Sequence, residues 1–186
     1  MVINDFLDKF ALQLDNLTAH SFISREQNKV FKEIKENLTN NQALAILDFA
    51  ENYKFVVQDE AQSFHWNNKQ CTLHPVAIYL NTDGEVKEFS MCVLSDDMMH
   101  DVNFVKKVID ASVDYIKQLN SSVEIIHYFS DGCSKQYKCC KNFLNLSLHK
   151  TEYQIDAKWH FFATSHGKNS CDGIGGSIKR TVRRAL

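Results

Sequence analysis

The segment ALAILDFA, residues 43–50, sets one carboxylate, Asp48, among seven apolar residues. A run this short, apolar on both of its alternating faces, is the pattern of a strand covered on both sides. Such a strand belongs in the middle of a sheet, with helices packed above and below. A carboxylate inside it is costly unless it meets a cation or hydrogen-bond donors. Asp48 therefore serves a local backbone N–H or a lysine, or it holds an ion.

Outward from this strand the chain alternates. ENYKFVVQDEAQSFHWNNKQCTL (51–73) is a long mixed connection. HPVAIYLN (74–81) and EVKEFSMCVLS (85–95) read as strands around the turn signal Thr82-Asp83-Gly84. Pro75, the sole proline, falls at a strand start, where its missing N–H does least harm. NFVKKVIDASVDYIKQL (103–119) puts Val105, Val108, Ile109, Ile116 and Leu119 on one helical face. VEIIHYFSD (123–131) reads as a strand, SKQYKCCKNFLNLSL (134–148) as a helix and EYQIDAKWHFFATS (152–165) as a strand. GIGGSIKRTVRRAL (173–186) is a helix with a glycine-rich entrance. Ahead of the first strand, residues 1–38 read as two helices, the second opened by the capping-box pattern SREQ at Ser24–Gln27.

The order strand, strand, strand, helix, strand, helix, strand, helix predicts an antiparallel meander. Parallel crossovers then return to the first strand. This is the element order of the ribonuclease H-like fold, an α/β class. The expected organisation is an N-terminal helical arm (1–40) and an α/β core (41–186) that continues past the last residue given. With 186 residues, 44% hydrophobic and 24% charged, the chain has material for one domain with a substantial core. It holds no apolar run long enough for a membrane span and no basic-then-apolar leader. A nuclear or cytoplasmic, non-secreted protein with reduced cysteines is expected.

Charge is unevenly spread. Residues 1–157 carry a net −7 and residues 158–186 a net +5. Four of the six glycines fall within 167–176, beside the one acid of this basic end, Asp172. Glycines before a helix let backbone approach a phosphate closely, and a helix N-terminus attracts anions. Gly173, Gly175 and Gly176 would admit a nucleic-acid backbone beside Asp172. Lys179, Arg180, Arg183 and Arg184, with His166 and Lys168 just upstream, would hold phosphates. The plain alternative is a tight loop leading into a solvated basic helix.

In the expected topology Asp48 and Asp131, 83 residues apart in the chain, lie on neighbouring strands, and Asp172 arrives from the last helix. Clustered carboxylates repel one another until positive charge joins them. Hard divalent cations with oxygen ligands do so, and two of them activate a nucleophile and stabilise the leaving oxygen of a phosphodiester. Each acid also has a simpler role: Asp131-Gly132 can shape a turn and Asp172 can cap a helix.

The stretches LDFAENY, QSFHWNN, YFSDG, WHFFATSHGK and CDGIGG…KR together resemble a group of eukaryotic proteins derived from DNA transposons with a DDE/DDD-type, ribonuclease H-like transposase core. The resemblance spans the whole chain. It implies Asp48, Asp131 and Asp172 as the catalytic, metal-binding triad, Mg2+ or Mn2+ as cofactor, DNA as partner and a homo-oligomer on DNA. Many relatives of the fold carry a Glu further into the last helix. Here that helix holds no acid after Asp172, which leaves Glu152 and Asp156 as the other late candidates. Two rival expectations stand beside this one: a domesticated, inactive DNA-binding or interaction module, and a host nuclease acting on RNA.

Other groups carry less. Cys133, Cys139, Cys140, His160, His166 and Cys171 are of zinc-ligand type but lack a CxxC pair. SDDMMHD (95–101) suits the start of the next helix. Trp66 is either a base-stacking platform or a core anchor. Glu51 and Asn52 border the ion site or simply end the strand.

Overall fold

The computed structural model describes residues 3–55, 69–163 and 170–185. In chain order its elements are α1 (Ile3–Glu36), β1 (Gln42–Leu47), β2 (Tyr53–Lys54), β3 (Gln70–Thr82), β4 (Glu85–Ser95), α2 (Val102–Leu119), β5 (Ile125–Ser130), α3 (Cys140–Tyr153), β6 (Asp156–Phe161) and α4 (Ser170–Ala185). The strands form one mixed sheet in the order β2-β3-β1-β5-β6, with β4 also paired to β3. β3 is antiparallel to β1 and β4, while β5 is parallel to β1 and β6 to β5.

β1 is the central strand, and both of its faces are covered. Ala43, Ala45 and Leu47 join Val76, Ile78 and Leu80 under the apolar stripe of α2 (Val105, Val108, Ile109, Val113, Ile116). The alternate residues Leu44 and Ile46 join Ala77, Tyr79 and Phe129 on the opposite face, against Phe31 and Ile34 of α1 and Cys171 and Ile174 of α4. Three layers therefore arise from one apolar run. The β3–β4 hairpin turns at Asp83 and Gly84, whose φ values of 56° and 85° are the positive pair that a type I′ turn needs. α2 starts at Asp101, whose side chain accepts from the backbone N–H of Asn103 and Phe104, the capping expected of SDDMMHD.

Several local features differ from expectation. Residues 3–36 form one helix of 34 residues, with Ser24 buried inside it and no cap there. No glycine or proline interrupts this span, so once Phe31 and Ile34 pack on the sheet nothing ends the helix before Glu36. β3 begins at Gln70, which places Pro75 inside the strand, one residue before the stretch Val76–Leu80 that pairs with β1. α3 starts later than expected and runs to Tyr153, ending where Gln154 takes a left-handed φ of 63°. β6 is correspondingly short. α4 begins at Ser170, so Gly173, Gly175 and Gly176 lie within the helix and not ahead of it. Among the described residues no helix is long and apolar enough to cross a membrane.

Candidate functional site

β1 and β5 run parallel in the register Ile46↔Phe129. Asp48 and Asp131 each come two residues after that pair, so both leave the sheet at its carboxyl edge, at matched positions on neighbouring strands. Adjacent strands lie about 4.8 Å apart. Asp131 also shapes its turn, since its Oδ1 accepts from the Cys133 N–H at 3.0 Å.

Within electrostatic reach of both acids lies Tyr137, fully buried, with its hydroxyl 2.8 Å from Nε2 of the fully buried His74. Burial pushes the Tyr137 hydroxyl well above its ordinary pKa, and the negative charges of Asp48 and then Asp131 push it further. Both carboxylates thus act on one buried hydroxyl. The His74 imidazole is pulled down to about 3, chiefly by burial, and is neutral at pH 7.

Asp172 stands in the first turn of α4. The turn is tied to the sheet at two points: Ser170 Oγ lies 2.7 Å from the Tyr79 hydroxyl, and the buried Cys171 Sγ donates to the Ile46 carbonyl at 3.4 Å. Burial raises the Cys171 thiol to about 12, helped by the charges of Asp48 and, more weakly, Asp172. Asp48 is therefore the acid shared by two neighbourhoods, Tyr137 with Asp131 on one side and Cys171 with Asp172 on the other. Asp48 and Asp131 share one rim of the sheet, and Asp172 stands on the helix whose first turn is tied to β1 through Cys171. Among the described residues, no group of three or more His, Cys, Asp or Glu side chains is close enough to hold a metal ion.

α4 continues from this rim along a polar cleft of about 400 Å³ lined by Glu51, Asn52, Tyr53, Lys54, Lys179 and Arg183. Lys179 and Arg183 are four residues apart and share one helix face. Lys179 is mostly buried, at 20% side-chain exposure, and lies 3.3 Å from a Glu51 carboxylate that is 94% exposed. The buried Asn52 Oδ1 has no hydrogen-bond partner among the described residues. Arg180 and Arg184 lie outside the cleft lining, Arg180 reaching Ser177 Oγ at 3.4 Å. His166 and Lys168, like Trp66, lie outside the described residues.

The glycines of α4 play unequal parts. A Cβ on Gly173 or Gly176 would meet nothing within 4 Å, whereas one on Gly175 would stand 3.1 Å from the Ala50 Cβ. Gly175 lets the helix approach the segment just past Asp48. The six cysteines are free thiols and do not converge.

Sequence reasoning missed three features. Tyr137 was expected in a helix, so neither its burial nor its bond to His74 could be seen. The cleft joins a β1–β2 connection to a helix 128 residues later through Glu51 and Lys179. His127 and His160, from β5 and β6, bring Nδ1 and Nε2 within 3.3 Å. Burial lowers both imidazoles, His127 to about 4. They form a neutral pair packed beside Phe129, and only the sheet register brings them together.

Over residues 27–186 the chain matches the family described as "Domain of unknown function (DUF8701)", and it belongs to that family. No curated protein matches it. Among the described residues, the matched span takes in β1 to β6, α2 to α4 and the part of α1 that packs on the sheet.

Proposed function

We propose that this DUF8701 domain is a ribonuclease H-like catalytic core of transposon origin. It cuts or transfers DNA phosphodiesters with Mg2+ or Mn2+ held at the Asp48–Asp131 edge. The observation that carries the proposal is the exit of two carboxylates, at matched register, from two adjacent parallel strands, with a third on the helix docked against the first. The strand sequence β4-β3-β1-β5-β6, with helices after β4, β5 and β6, supports the fold assignment.

The donor chemistry fits a hard divalent ion. Mg2+ is bound through one or two carboxylates together with substrate phosphates, and does not need a closed protein cage. Asp48 and Asp131 would supply such an open pair, with Asp172 on the neighbouring helix but not in a three-ligand group with them. When bound, the ion contributes Lewis-acid stabilisation of charge on the phosphate. The chain's own residues do the rest. Tyr137, fixed by His74, is a buried hydroxyl near enough to feel the charge of both carboxylates. Lys179 and Arg183 track the phosphates that lead into the site.

The cleft favours a second reading, a domesticated module that binds DNA without cutting it, because its cations do not depend on the acids. Thermal melting with MgCl2 or MnCl2 separates the two. An ion that binds the folded state alone adds about 2.7 kcal/mol at a hundred-fold excess over Kd. For a chain of this size that raises the melting point by about 5–10 °C. The shift should vanish in Asp48→Asn and in Asp131→Asn, along with any nicking of a DNA duplex. A wild-type protein whose melting point ignores both ions refutes the enzyme and leaves the binding module.

A further inference from the structure

α1 packs on the domain only through its second half. Phe31 meets Phe129 and Phe162 edge-on, Ile34 joins the same cluster, and Lys35 lies over the Tyr79 ring. Ile3–Ala19 are exposed throughout and extend for about 25 Å at the helical rise. This arm also lies outside the span matched by the family, which begins at residue 27.

The arm is not polar. Ile3, Leu7, Phe10, Leu14 and Leu17 are exposed at 75%, 52%, 47%, 45% and 60%. Their spacing is four, three, four, three, the alternation of a two-helix seam. Every charged residue of this stretch (Asp5, Asp8, Lys9, Asp15) lies about 120° or more around the helix from the middle of the seam. The positions flanking the seam, Phe6, Gln13 and His20 on one side and Asn4, Ala11 and Thr18 on the other, carry no acid, lysine or arginine.

We propose that this arm pairs with the same arm of a second copy of the chain. Flanks of one charge sign would repel an identical helix, whereas uncharged flanks let two copies meet without that repulsion. The area is sufficient. Six half-exposed side chains, the seam plus Phe6, each offer on the order of 100 Å². Two copies then bury on the order of 1,200 Å², the lower edge of a stable interface. The seam runs for little more than two heptads, so pairing is reversible, with a dissociation constant of about micromolar order.

Sedimentation velocity of the full chain from about 0.1 to 100 µM tests the proposal, over a range that brackets that constant. The expected result is a monomer–dimer equilibrium. It is abolished in Leu7→Glu/Leu14→Glu and retained in the outer-face variant Asp8→Ser/Asp15→Ser. The domain melting point should match wild type in both variants, since all four substituted side chains are exposed. Should the double Glu variant fold poorly, Phe10→Gln must weaken dimerisation at least ten-fold. A wild-type chain that stays monomeric throughout, or a dimer that survives loss of the seam, overturns the proposal. The measurement needs neither DNA nor metal, so its outcome is independent of the proposed nuclease activity.

Discussion

Replacing Gly175 by alanine sets two opposing effects against each other, and the structure says which wins. Alanine in a helix interior is favoured over glycine by about 1 kcal/mol. The new methyl would stand 3.1 Å from the Ala50 Cβ, against an ordinary carbon–carbon separation of about 3.5–4.0 Å. Relief needs a shift of about 0.5 Å, and both sides resist it. α4 is held by Ser170 on Tyr79 and by Cys171 on Ile46, and Ala50 is held by its N–H to the Leu73 carbonyl at 3.0 Å. Overpacking a site that cannot yield costs about 1–3 kcal/mol. Gly175→Ala should therefore destabilise by about 1 kcal/mol net, lowering the melting point by about 2–4 °C. Gly173→Ala is the control. Its Cβ meets nothing within 4 Å, so it should stabilise by about 0.4–1 kcal/mol. Urea denaturation monitored by circular dichroism, with an unchanged m, measures both. If Gly175→Ala proves as stabilising as Gly173→Ala, the crowding at Ala50 is wrong. If Gly173→Ala destabilises by more than 1 kcal/mol, the glycines are not helical.

Buried and basic groups give two further outcomes. His74 is neutral in the fold, its pKa pushed from 6.5 down to about 3, mainly by burial, while the unfolded chain takes up the proton near 6.5. Stability is then full above pH 6.5 and lost as pH falls from there toward 3. His74 alone contributes a loss of about 2 kcal/mol between pH 7 and pH 5; urea midpoints at the two pH values should show His74→Gln losing less by that amount, the share of the lowered His127 and His160 remaining. In the cleft, Arg183→Gln should weaken binding of a DNA oligonucleotide in EDTA and reduce the slope of log K against log salt by about one. Fluorescence anisotropy across a salt series reads this, and an unchanged slope removes Arg183 from the interface.

Much of the architecture was legible because it rests on local pattern. The apolar run at Ala43–Leu47 marks a doubly covered strand, Asp83-Gly84 marks the hairpin, and the stripe from Val105 to Ile116 marks α2. The placement of Asp48 and Asp131 beside each other comes from the order of strands and helices alone. The hidden features depend on contacts between distant segments. Glycines near a helix start look alike in sequence whether they open a loop or, as with Gly175, clear room for Ala50. Ser24 carries the signature of a helix cap, yet the helix runs through it, because no breaker stands nearby and Phe31 and Ile34 anchor the turns beyond it. Tyr137 gives no signal at all, since its importance comes from His74 on a strand 63 residues earlier and two acids just past the ends of separate strands.

The parallel pairing of β1 with β5 has a consequence for the order of folding. β1–β3 and β3–β4 are nearer neighbours along the polymer and close smaller loops, whereas β5 must return across α2 to reach β1. In an unfolded or half-folded chain the two aspartates are far apart and their charges are indifferent to each other. Only when this long-range zipper shuts are they forced together. The rim is thus assembled late, and a nascent polypeptide shorter than about 131 residues has no means of making it.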